Sequence, residues 1–152
     1  MHRVLFSSMI RLIHRQRIIR LTQIYKWYIL APMTRINCIP PNELIRQHLV
    51  AEYRELPRVR HAWPRKTEPN IPSFYCLGKG HVTFFYNKGS WLERRHRELI
   101  DEMKRRGYKV NMKPLDLSHW PKHAMKDWEP GEYDKKINRK RINQRIKGGL
   151  AR

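Results

Sequence analysis

"GSWLERRHRELIDEMKRRGY", residues 89 to 108, is the most regular stretch of the chain. Trp91, Leu92, His96, Leu99, Ile100 and Met103 recur at spacings of three and four, which gathers them on one helical face. Ser90 and Glu93 have the spacing of a capping box, and Gly107 supplies a stop. A helix this amphipathic must bury its stripe, so its partners must carry the same period.

Two other segments do. Upstream, "PNELIRQHLVAEYREL" (41–56) sets Leu44, Ile45, His48, Leu49, Tyr53 and Leu56 at helical spacing, with Asn42 as candidate N-cap and Pro57 ending or kinking the helix. Downstream, "EYDKKINRKRINQRI" (132–146) predicts a strongly basic helix with Tyr133, Ile137, Ile142 and Ile146 along it. Residues 60–79, with Pro64, Pro69, Pro72 and Gly78, read as loop, as do residues 108–131, with Pro114, Pro121 and Pro130. "HVTFFY" (81–86) has strand-like composition but no partner strand of similar quality. It reads as an extended segment whose aromatics plug the core. The expected fold is all-α: a compact three-helix single domain with long irregular loops, plus an N-terminal extension.

The extension is residues 1–32. It holds Arg3, Arg11, Arg15, Arg17, Arg20 and Lys26 and no acid, giving +6 of the net +20 and leaving +14 for residues 33–152. Such an Arg-rich start resembles a transit peptide or a membrane-surface helix. The preferred reading is sequence translated upstream of the true start, because "APMTRIN" (31–37) offers a second beginning. Met33 precedes the small Thr34, which leaves that methionine removable. The expected division is thus 1–32 extension, 33–147 domain and 148–152 frayed tail.

A net charge of +20 on 152 residues concentrates polyanions, of which nucleic acid is the commonest. No stretch approaches the roughly 20 apolar residues of a spanning helix, and no membrane association is expected. Cys38 and Cys76 lack a paired metal spacing, so zinc is not expected, and a reducing cytoplasm is the simplest home.

On the 41–56 helix, Gln47, Arg54 and Arg58 fall on one stripe, and His48, Glu52 and Glu55 on the next. By spacing alone this describes a solvated, salt-bridged surface. Three stretches give it a context: "MTRIN" (33–37), "ELIRQHLVAEYRELPRV" (43–59) and "GKGHVTFFYNK" (78–88). They resemble the pyrimidine-dimer DNA glycosylase and abasic-site lyase family, the bacteriophage ultraviolet-repair endonuclease V type. The resemblance covers about residues 33–146 and is close over 33–59 and 78–107.

The resemblance implies a three-helix fold without metal or cofactor, and a monomer acting on double-stranded DNA that contains pyrimidine dimers or abasic sites. It implies that the mature chain begins at Thr34, whose α-amine is the nucleophile. The chemistry agrees: with a pKa of about 7.7–8.0, an α-amine is neutral about 10% of the time at pH 7, whereas a lysine near 10.4 is neutral well under about 0.1%. Arg35 biases that amine further toward neutrality. Attack on the sugar displaces the base and leaves a protonated Schiff base. Glu55, by resemblance, stabilises that cation and helps move protons during β-elimination; Glu52 is the alternative that spacing leaves open. Arg35, Gln47, His48, Arg54 and Arg58 match the family's DNA-gripping positions, and Arg141 and Arg145 match basic positions on its last helix. A flipped nucleotide in a kinked duplex is expected.

The family's best-known member continues into an aromatic-rich tail that helps recognise the dimer. Here the sequence reads "KGGLAR", and Trp120, Trp128 and Tyr133 read either as substitutes or as core. Two other functions stay open: a related glycosylase or lyase with another lesion preference, and a silent DNA-binding protein if residues 1–33 remain attached.

Overall fold

The computed structural model describes residues 36–64 and 67–147; the 1–32 extension, Met33, Thr34, Arg35 and the 148–152 tail lie outside the described residues. Among the described residues the chain forms three α-helices, α1 (Arg46–Glu55), α2 (Gly89–Arg105) and α3 (Glu132–Arg145), and no strand. Short 3-10 turns occupy Pro41–Glu43, Leu56–Ala62, Thr83–Asn87 and Lys122–Ala124. The all-α expectation holds. Among the described residues no helix is long and apolar enough to cross a membrane.

The expected stripe of α2 is buried in full, from Trp91 to Met103. Fully buried side chains such as Leu92 and Leu99 each contribute about 1.5–3 kcal/mol. The helix stops where Gly107 takes φ +71°. There Tyr108 N–H donates to Met103 O and Gly107 N–H to Lys104 O, closing a Schellman motif. The start differs from expectation, since Ser90 and Glu93 make no capping box. Ser90 Oγ donates to Met125 O at 2.7 Å, and Glu93 Oε1 accepts Leu117 N–H at 2.7 Å. Both side chains tether the 108–131 loop, and the helix begins two residues earlier than a Ser90 cap would give, at Gly89. A Cβ at Gly89 would collide with Met125 Sδ, so the loop's close approach requires glycine there.

Nor is Asn42 an N-cap. Pro41–Glu43 is a separate turn, and Leu44 is extended (φ −77°, ψ 133°) before α1 starts at Arg46. Carbonyls that would begin a helix are already engaged: the Arg106 guanidinium donates to Pro41 O, Asn42 O and Leu44 O. Pro57 ends α1, and a 3-10 turn follows.

The 81–86 segment is not extended. Residues 83–87 form a 3-10 turn, with Trp63 Nε1 donating to Tyr86 O and Lys88 Nζ to Phe84 O. An extended chain would send the adjacent Phe84 and Phe85 to opposite faces. The turn lets both rings join one cluster with Tyr75, Trp91 and Trp128, at centroid separations of 5.0–6.1 Å. The aromatics therefore plug the core as expected, by a different backbone route.

Tyr53 joins α1 to α2. Its ring stacks on His96 at 5.7 Å, and its hydroxyl accepts the N–H groups of Asn111 and Met112. In α3, Asp134 accepts Gly131 N–H at 2.9 Å and closes the first turn. Ile142 is buried, whereas Tyr133 is 72% exposed and not part of the inner stripe. The residue that docks the N-terminal part of α3 is Asn138, which the apolar pattern did not reveal.

Candidate nucleic-acid interface and the chain start

The first described residues sit in the core. Ile36 and Ile39 are buried, and three consecutive backbone N–H groups each meet a buried side chain from a different element. Ile36 N–H donates to His81 Nε2 at 3.1 Å. Asn37 N–H donates to Glu52 Oε1 at 3.1 Å, and its side-chain amide donates to Glu52 Oε2 at 2.7 Å. Cys38 N–H donates to Asn138 Oδ1 at 3.0 Å, while Asn138 Nδ2 donates to Asn37 Oδ1 at 3.0 Å. His81 in turn lies 2.7 Å from Cys76 O through Nδ1. As Nε2 accepts and Nδ1 donates, the ring is the neutral Nδ1–H tautomer.

Glu52 is a fixed group rather than a surface one. Arg95 from α2 donates to it through Nε (2.9 Å) and Nη2 (3.2 Å), and Arg95 Nη1 donates to Ile39 O at 2.7 Å. Its oxygens are thus filled by Arg95 and Asn37. Of the two candidate carboxylates, Glu55 is the half-buried one on the outer side of α1, one turn from Glu52.

Around Glu55 the predicted residues separate into two groups. Gln47, Arg54 and Glu55, with Arg46, Val50 and Ala51, line a depression of about 490 Å³ on α1. Arg54 and Gln47 are exposed, Arg58 is exposed on the turn after α1, and His48 is half-buried. Arg141 belongs to a second cavity of about 330 Å³, lined by Leu77, Gly78, His81, Ile137, Lys140 and Gln144 as well. His81 thus both forms a wall of that cavity and holds Ile36. Arg145 is one turn along α3, where burial and then the charge of Arg141 lower its guanidinium from the ordinary value. Two other cations on α3 are already paired with acids: Arg139 makes a two-pronged contact with Glu43, and Lys135 pairs with Glu132. Thr34 and Arg35 lie outside the described residues, immediately before the clamped segment.

Two other nucleophiles, Cys38 and Lys88, are subdued. Burial pushes the Cys38 thiol up to about 11, so it is a protonated thiol at neutral pH. Burial, and then Lys126, bring the Lys88 ammonium down to about 8. Its Nζ, however, donates to Phe84 O and Asn87 Oδ1 and lies 3.7 Å over the Phe84 ring. Trp120 is buried core, with Nε1 toward Arg60 O, and the half-buried Trp128 packs against the core in the aromatic cluster. Among the described residues, Tyr133 and Phe74 are the large aromatics that remain exposed. Sequence reasoning missed Arg95, His81 and Asn138. The last had one visible signal, a short polar residue beside Ile137 on a helix otherwise patterned by isoleucines.

A small all-helical, strongly cationic domain with exposed arginines on the helix that carries a half-buried carboxylate suits the binding of a polyanion such as DNA. The family is specified by sequence: the model of the pyrimidine dimer DNA glycosylase family matches residues 33–116, more than half of the chain. The chain belongs to that family, which implies DNA containing pyrimidine dimers as the substrate.

Proposed function

We propose that this protein excises pyrimidine dimers through the α-amine of Thr34 and then cleaves the strand as an abasic-site lyase. The amine attacks the anomeric carbon, the damaged base leaves, and the opened sugar is held as a protonated Schiff base. Glu55 stabilises that cation and moves protons during β-elimination. Arg35, Gln47, His48, Arg54 and Arg58 grip the distorted duplex, with Arg141 and Arg145 extending the contact along α3. Abasic sites are a second substrate, and the acting species is a monomer.

One observation carries the reading: Asn37, three residues after Thr34, is bonded through backbone and side chain to Glu52, one helical turn from Glu55. Asn37 is therefore held on the stretch of α1 that carries the candidate carboxylate, which supports the reading. Borohydride trapping on abasic and dimer-containing duplexes tests it. The expected product is a covalent adduct on a peptide beginning at Thr34. An adduct on Lys88 instead, or none from a chain beginning at Thr34, would overturn the reading. Protein with residues 1–33 still joined should bind DNA without trapping, because an amide nitrogen at residue 34 is no nucleophile.

A further inference from the structure

We propose that Phe74 and Tyr133 stack on nucleobases exposed at the lesion and thereby set the preference of the protein for damaged over intact duplex. The proposal rests on one part of the reading above, that α3 faces the distorted DNA.

Both aromatics border one cationic cavity. The cavity of about 330 Å³ lies between the 72–80 loop and α3: Leu77 and Gly78 come from the loop, and Ile137, Lys140, Arg141 and Gln144 from the helix. Its lining holds two cations, Lys140 and Arg141, and no acid. On α3, Tyr133 precedes Ile137, Lys140 and Gln144 by four, seven and eleven residues, so it stands on the helical face that lines the cavity. Phe74 lies three residues before Leu77, in the loop that forms the opposite wall. The two rings are 83% and 72% exposed, Phe74 the more so. Single exposed apolar side chains are ordinary on a protein surface. Here the two large aromatics that stay exposed among the described residues belong to the two elements that wall one cation-lined cavity. Ring faces beside positive charge suit unstacked nucleic acid.

Phe74 is presented by a braced loop. Its neighbour Tyr75 is buried, with ring contacts to His81, Phe84 and Trp128 at 5.5–5.7 Å. Pro72 packs so closely on Gly80 that a Cβ there would lie 3.1 Å from Pro72 Cγ. Cys76 O faces His81 Nδ1 at 2.7 Å, and Cys76 Sγ donates to Lys79 O at 3.7 Å. The chain is therefore fixed on both sides of Phe74, and little backbone freedom is lost when its ring meets a partner. The class of partner follows from the charge. An intact duplex keeps its bases stacked and offers Lys140 and Arg141 mainly its phosphates. A dimer or an abasic site breaks the stack, and a base released from it has a bare face for a ring. The cations then give affinity for any duplex, and the aromatics add affinity for a damaged one.

Fluorescence anisotropy of the full chain tests this on two duplexes, one intact and one with a single tetrahydrofuran site. That abasic analogue has no aldehyde, so no Schiff base forms and the readout is independent of any amine. Phe74→Ala should weaken binding to the tetrahydrofuran duplex about 5- to 100-fold, with affinity for the intact duplex within about twofold. The salt slope should stay unchanged, since no charge is removed. Phe74→Trp should restore the preference, and Tyr133→Ala should reduce it in the same direction. Equal loss on both duplexes overturns the proposal, as does a Phe74→Ala protein that keeps the wild-type preference. Should Phe74→Ala not fold, Tyr133→Ala makes the same test from α3. Wild-type protein that binds the two duplexes equally overturns the proposal together with the reading that α3 faces distorted DNA. A wild-type preference that both alanine variants retain overturns the proposal alone.

Discussion

Arg95 and Glu52 meet at 2.9 Å with their side chains 3% and 1% exposed, and between them they tie α2 to the start of the domain. The guanidinium uses two nitrogens on the carboxylate and the third on Ile39 O, while the carboxylate also takes both donors of Asn37. A buried ion pair is tolerable only with such full satisfaction. This pair therefore connects the folding core to residues 37–39, just after the proposed nucleophile.

Removing one partner should be severe. Arg95→Met leaves a buried carboxylate without its cation, at a cost of about 3–5 kcal/mol. Glu52→Gln combined with Arg95→Met should recover part of that loss, since the amide oxygen still accepts Asn37 N–H and no net charge is left buried. Urea unfolding of the single and double variants checks this. Equal losses in both would show that the pair acts through packing rather than charge.

Glu55→Gln should behave in the opposite manner. The residue is half-buried on the outer side of α1, so stability should change little. On the proposed mechanism, loss of this carboxylate should slow dimer incision about 10²- to 10³-fold, the range seen when one electrostatic stabiliser is removed. Duplex affinity should hold or rise, as one negative charge is gone. Measuring incision, binding and melting on the same preparation separates catalytic from structural loss.

The helices were legible because their apolar residues repeat at 3.6, most of all in Trp91 to Met103. Their ends were less so. Ser90, Glu93 and Asn42 have capping chemistry, but distant partners claim them: Met125 O and Leu117 N take the first two, and Arg106 takes the carbonyls beside the third. A local motif states what a side chain is able to bond, and tertiary structure decides which bond forms. The same limit hid the clamp. His81 and Asn138 lie 45 and 100 residues from the backbone groups they hold, a separation that no periodicity records. Glu52 and Glu55, equivalent by spacing, were separated by Arg95 and Asn37, which engage Glu52.

Stability should fall on mild acidification, and His96 gives the reason. Burial lowers its pKa from the usual value, against the opposing pull of Tyr53 O and Glu52. Nδ1 accepts Leu115 N–H at 2.9 Å while Nε2 faces Tyr53 O at 3.2 Å, so the folded ring is neutral. The unfolded chain takes up a proton near pH 6.5 and the folded one resists. Stability is therefore fully present above about 6.5 and declines as pH drops below it toward the folded value. A second decline follows lower down: Arg105, then Arg106, hold the Glu102 carboxyl at about 2, so its contribution is present above the ordinary carboxylate value and is lost as pH falls toward 2. Denaturant midpoints between pH 8 and pH 3 should show two steps, the upper one missing in His96→Gln.

Salt dependence distinguishes cations that meet phosphate from those that do not. Each phosphate neutralised contributes about −0.9 to the slope of log affinity against log salt. Arg54, Arg58 and Arg141 should each count: the first two are exposed beside Glu55, and the third lines the cavity that His81 closes. Arg139 should not, although it lies two residues from Arg141, because both its contacts go to the Glu43 carboxylate at 2.7 and 2.8 Å. Arg141→Gln should therefore reduce the magnitude of the slope by about 1, and Arg139→Gln should leave it nearly unchanged. Fluorescence anisotropy on undamaged duplex at several salt concentrations reads both directly. Equal effects of the two substitutions would mean that α3 acts through its overall field, with no individual arginine contacting the backbone of the DNA.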